Sequence, residues 1–102
     1  MVNGMSEEKR SEFLLATLLD ENESLEMRYA AITYLGNLDH PQALKSLISF
    51  GCRESEQKPL LRSCGNAIAR IWDRHKDFDI QCIIKMVSEP TRQAIHNWLD
   101  SK

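Results

Sequence analysis

Residues 25–48, LEMRYAAITYLGNLDHPQALKSLI, decide how the chain folds. They read as an amphipathic helix, a short reversal and a second amphipathic helix. Met27, Ala31, Tyr34, Leu35 and Leu38 recur at three- and four-residue steps, and Ala43, Leu44, Leu47 and Ile48 do the same after the reversal. Each helix therefore carries one apolar stripe. Pro41 suits a first helical turn, where its missing N–H would have no partner. Asp39 or His40 is placed to cap that turn. Helices joined by so few residues pack antiparallel.

The pattern extends both ways. Ser6 is the N-cap of a first helix over residues 7–19, with Glu7 and Glu8 at the positive end of its dipole. Phe13, Leu14, Leu15, Leu18 and Leu19 are its expected buried side. Ser24 caps the second helix, over 25–38. Gly51 is expected to stop the third, over 41–50, from the C′ position. A fourth helix is expected over 56–74, with Pro59 in its first turn and Leu60, Leu61, Cys64, Ile68, Ile71 and Trp72 inward. A fifth covers 79–87. A sixth covers 90–99, with Glu89-Pro90 repeating the cap-and-proline device and Ala94, Ile95, Trp98 and Leu99 inward. Tyr34, Trp72 and Trp98 read as core. Residues 1–5 are expected to be disordered, and 6–102 to form one domain.

The even-numbered helices look alike. Met27-Arg28, Leu61-Arg62 and Thr91-Arg92 each place an arginine near a helix start, 34 and 30 residues apart. A repeated unit of this size predicts stacked helix pairs that cover one another's apolar sides. Met27-Arg28-Tyr29-Ala30-Ala31-Ile32, Leu35-Gly36 and the run from Pro41 to Ile48 resemble the HEAT-repeat family, in particular its short repeats of the phycobilin-lyase type. Leu61-Arg62 with Ala67 matches more loosely, with Cys64 and Gly65 where small alanines are usual. The third unit keeps only the helix pair and Arg92. The resemblance implies an all-α fold, an α-solenoid of about three antiparallel helix pairs, six helices in all. It also implies that Arg28, Arg62 and Arg92 make structural contacts within the stack, and that the second helix of each pair lines the concave face.

Charge divides unevenly. Residues 1–51 hold eight acidic and four basic side chains, and the remainder seven and nine, for a net −2. A dipolar molecule follows, with an acidic and a basic pole. Cys52, Cys64 and Cys82 form no CxxC pair and read as reduced thiols of a cytoplasmic protein. No apolar run approaches membrane-spanning length.

Catalysis finds no support in the motifs. The chain has no HExxH, GxSxG or phosphate-cradling glycine loop, and no Cys/His set with zinc spacing. No cofactor and no metal is expected. Binding is the better reading. Lys58, Arg62, Asn66 and Arg70 make a basic line at four-residue steps on the fourth helix. Glu23 leads into the second helix, which adds Glu26, Tyr29, Thr33 and Asn37, and the sixth helix adds Arg92 and His96, beside Gln93 and Asn97. The expectation is a non-enzymatic protein-binding module, monomeric when free. It would be a small inhibitor or immunity-type protein that docks a toxin, or an adaptor in a larger complex. The alternatives are a nucleic-acid backbone binder using the basic line, and a lyase-like or chaperone-like handler of a small molecule.

Overall fold

A computed structural model of the chain describes residues 6–101, and these residues form six α-helices: α1 Glu7–Leu19, α2 Leu25–Gly36, α3 Pro41–Gly51, α4 Lys58–His75, α5 Ile80–Met86 and α6 Glu89–Asp100. The expectation for residues 1–5 lies outside the described residues.

Local chemistry sets the helix starts. Ser6 and Ser24 accept from the Lys9 and Met27 N–H groups, and Asp79 accepts from Gln81 N–H. At α3 the capping acceptor is His40, whose Nδ1 takes the Gln42 N–H at 3.1 Å. Pro41, Pro59 and Pro90 all fall in first turns. Lys76 ends α4 with φ 52°, its N–H donating to Trp72 O at 2.7 Å.

Boundaries differ from expectation where a cap was misread. α2 ends at Gly36 rather than at 38, because Asn37 N–H turns back to Tyr34 O. Helix α4 begins at Lys58 rather than at 56, because Glu56 is drawn into an ion pair. Ser88, not Glu89, is the residue before α6. Gly51 does not stop α3 from outside. It is the last helical residue, and a Cβ there would meet Thr91 Cγ2 at 3.0 Å. Its role is close approach to α6, not left-handed backbone.

Helix α4 sits in the middle. It packs against α2, α3 and α6, while α1 packs on α2 and α3, and α5 touches α6. The core runs through all of them: Leu18, Ile32, Leu35, Leu47, Phe50, Leu60, Leu61, Ile68 and Ile95 are fully buried, and α5 adds the buried Ile80, Ile83 and Ile84. The tightest crossing is α4 on α6. A Cβ at Gly65 would lie 2.4 Å from Thr91 O and 2.8 Å from Ala94 Cβ. Only glycine lets these backbones meet.

Several residues expected inside are outside. Tyr34 is 61% exposed and Phe13 59%, Met27 51%, and Leu19 is also exposed. They lie on flanks of α1 and α2 that no described helix covers. Trp72, Trp98 and Leu99 are half-buried at the rim. Cys64 is buried as expected, but Cys82 is exposed and Cys52 half-buried.

The three helix-start arginines also part company. Arg28 is 3% exposed; its Nε donates to Leu18 O at 2.8 Å and its Nη2 meets Glu56 at 3.0 Å. Arg92 does the equivalent on α5, with Nε to Ile84 O and Nη2 to Val87 O, both at 2.9 Å. Each guanidinium satisfies carbonyls at the C-terminal end of the preceding odd helix, where positive charge is favoured. Arg62 corrects the expectation. It is exposed and makes no such contact among the described residues. Counted from the residue before each helix, Arg28 and Arg92 stand fourth after Ser24 and Ser88. The fourth after Gln57 is the buried Leu61. The end of α3 is instead satisfied from α6. Ser88 N–H, Ser88 Oγ and Thr91 Oγ1 donate to Gly51 O at 2.9, 2.9 and 3.0 Å.

Candidate functional site

One-residue displacement puts Arg62 on the surface, in line with its neighbours. Lys58, Arg62 and Asn66 stand exposed along α4, one turn apart. Arg70 continues the line but is half-buried, its Nη2 close to Gly36 of α2 and its Nε without a hydrogen-bond partner among the described residues. Arg74 leaves the line to reach Asp39 at 3.4 Å.

Depressions flank this ridge on both sides. Between α4 and α6 lies an open groove of about 640 Å³, lined by Lys58, Arg62, Asn66, Glu89, Pro90, Gln93, Ala94 and Asn97. Its walls offer two cations, one carboxylate and three amides. That set suits a polar segment with backbone carbonyls or carboxylates to present. Between α2 and α4 lies a more apolar hollow of about 350 Å³, lined by Leu25, Glu26, Tyr29, Pro59 and Leu60. Tyr29, 54% exposed, forms its edge with a ring available for contact.

The sequence candidates therefore divide. Lys58, Arg62 and Asn66 share the α4–α6 groove, and Glu26 and Tyr29 share the α2–α4 hollow. Thr33 bonds back to Tyr29 O at 3.3 Å, and Asn37 sits exposed at the end of α2. Glu23 is half-buried and accepts from Ser24 N–H at 3.3 Å. Arg92 is held by carbonyls and by Glu89, and the exposed His96 lines neither depression. The facing wall is made by Gln93 and Asn97, both expected on this helix, and by Glu89, which the four-residue step back from Gln93 could have added.

A third depression, of about 260 Å³, lies at the far end of α4, where Leu38, Pro41, Leu44, Ile71 and Phe78 meet Asp39, His40 and His75. It falls below the volumes typical of cofactor sites. His75 Nε2 lies 3.0 Å from Asp39 Oδ1. That hydrogen bond, opposed by partial desolvation and helped by the Arg74 charge, holds the Asp39 carboxyl below its ordinary 3.8. The Cys64 thiol is pushed far up by burial and then by the negative charge of Glu56, and burial raises Cys52 too. Neither is poised as a nucleophile. Among the described residues no three His, Cys, Asp or Glu side chains converge as a metal site, and no helix is long and apolar enough to cross a membrane.

Comparison with known proteins finds no family model, no curated protein and no solved structure that matches this chain.

Proposed function

We propose that the chain is a short HEAT-like solenoid that binds another protein, acting as an inhibitor, an immunity-type protein or an adaptor rather than as an enzyme. The stacking half of this reading draws on the contact order: α1 on α3, and α2 on α4 on α6. It draws as well on the equivalent positions of Arg28 and Arg92. A cytoplasmic setting accords with three unpaired thiols.

One observation carries the binding half. Lys58, Arg62 and Asn66 face Gln93 and Asn97 across a single open groove, and no ion pair among the described residues holds either cation. Side chains that only solvate a helix have no need of a matching wall. The partner segment that fits is extended and acidic, steered in by charge. Glu89 in the same groove weighs against a phosphate backbone, as does the net −2.

The test sets wild type, Arg62→Glu and Glu23→Lys side by side in pull-downs from native extract. A stoichiometric protein kept by wild type and Glu23→Lys, lost with Arg62→Glu, and associating more slowly at high salt supports the reading. Loss with Glu23→Lys alone would move the site to the acidic pole. Recovery of no protein that depends on either residue would refute it.

A further inference from the structure

The first helix pair leaves an apolar side facing outward. On α2, Gly36 meets Ala67, and Leu25 and Tyr29 border Pro59 and Leu60, so that flank faces α4. Met27, Ala30 and Tyr34 occupy the opposite flank at three- and four-residue steps. On α1, Leu14 and Leu18 point inward and Leu15, beside them, is half-buried. Phe13 falls on the other side of that stripe. Antiparallel packing of α1 on α2 brings Phe13 onto the same outer face as Met27 and Tyr34. All three are more than half exposed. Together they leave on the order of 300 Å² of apolar surface in one place, the size of patch that marks an interaction site.

The two ends of the molecule differ. At the other end, the exposed residues of α6 are Glu89, Gln93, His96, Asn97 and Asp100, all polar, and Met86 of α5 is an isolated apolar side chain beside them. Head-to-tail stacking would set the apolar face against a polar one. Stacking of the apolar face on its own copy buries both.

Charge on the rim chooses the same arrangement. Lys9 begins α1 exposed on the outward flank with the half-buried Arg10 beside it, while Glu7 and Glu8 of the same turn fall on the helix's other sides. Asp20, Glu21 and Glu23 form the loop at the opposite edge of the face. A two-fold axis lying in the face and crossing the helices sets each basic edge over the acidic edge of the other copy. We propose that the protein forms a two-fold dimer through the outer face of its first helix pair, with Phe13, Met27 and Tyr34 at the centre. This departs from the free monomer expected from the sequence. It is independent of the α4–α6 groove, which lies away from that face.

Sedimentation equilibrium from low micromolar to millimolar protein should show the mass rise from 11.8 kDa towards twice that value. Phe13→Glu and Tyr34→Glu should each weaken dimerisation by at least about tenfold, with helical content unchanged and the melting temperature unchanged at concentrations where wild type is monomeric. Met86→Glu, at a residue 58% exposed on α5, should leave the dimer intact. Lys9→Glu should weaken it, and adding Glu21→Lys should restore it in part. A single 11.8 kDa species at every concentration overturns the proposal. A dimer indifferent to both Phe13→Glu and Tyr34→Glu overturns it equally, by placing the interface elsewhere.

Discussion

Arg28 Nη2 lies 3.0 Å from Glu56 Oε2, joining two residues twenty-eight positions apart, both almost wholly shielded from solvent. Glu56 also takes Arg53 at 3.2 Å, and the Arg28 and Arg53 guanidiniums stand 5.9 and 5.7 Å from the centre of the Phe50 ring. Through Leu18 O the same arginine holds the end of α1. One side chain therefore ties α1, α2, α3 and the start of α4 together.

Removing Glu56 leaves the Arg28 charge buried without a carboxylate, at a cost of roughly 3–5 kcal/mol; removing Arg28 takes from Glu56 its shielded partner and from Leu18 O its donor, but leaves Glu56 paired with Arg53. Glu56→Met should lower the melting temperature by more than about 10 °C in a domain of this size. Arg28→Met combined with Glu56→Met should be milder than the sum of the singles. Thermal melts of the three variants give the cycle, and simple additivity would mean that the pair is not coupled.

Gly65 tests the α4–α6 crossing. In an exposed helix, glycine to alanine gains up to about 1 kcal/mol. At Gly65 the added methyl would lie 2.4 Å from Thr91 O, and that atom belongs to a backbone. Gly65→Ala should therefore destabilise by about 1–3 kcal/mol, the range of overpacked cores. Urea denaturation measures it; a stabilised variant would mean that α6 sits further away.

The thiols should react in order of exposure. Cys82 should be labelled at once by a disulfide reagent and Cys52 more slowly. Cys64, fully buried and with its thiol pKa raised, should stay protected until the chain unfolds. Timed mass spectrometry separates the three, and early labelling of Cys64 would contradict the packing of α4.

Asp39 gives an acid-limb prediction. A carboxyl whose pKa is lowered by folding adds stability above its unfolded value and loses it as pH falls through the folded one. Asp39 is of this kind, chiefly through His75. Asp39→Asn should be slightly less stable than wild type near neutral pH, and the two should converge once pH drops well below 3.8. A difference that persists in acid would point to packing rather than charge.

Much of this was legible in the chain. Ser6, Ser24 and Asp79 announce helix starts because a cap is a bond between residues two or three apart. Pro41, Pro59 and Pro90 mark first turns because the missing N–H is harmless only there. The candidate groove was half legible. The four-residue step of Lys58, Arg62 and Asn66 describes one helix face, while the wall opposite depends on how α6 rotates. Phe13, Met27 and Tyr34 were misplaced because periodicity identifies apolar residues without saying whether a neighbour exists to cover them.

By itself the sequence determined six helices and their reversals, since each rests on chemistry within a turn or two of chain. Tertiary structure alone decided which arginine is buried. Arg28 and Arg62 look alike in their local context, yet one closes the end of α1 and the other, a single residue out of phase, faces solvent. A shift of one residue turns a side chain by about 100° around a helix, and only the neighbour waiting in that direction gives the turn a consequence.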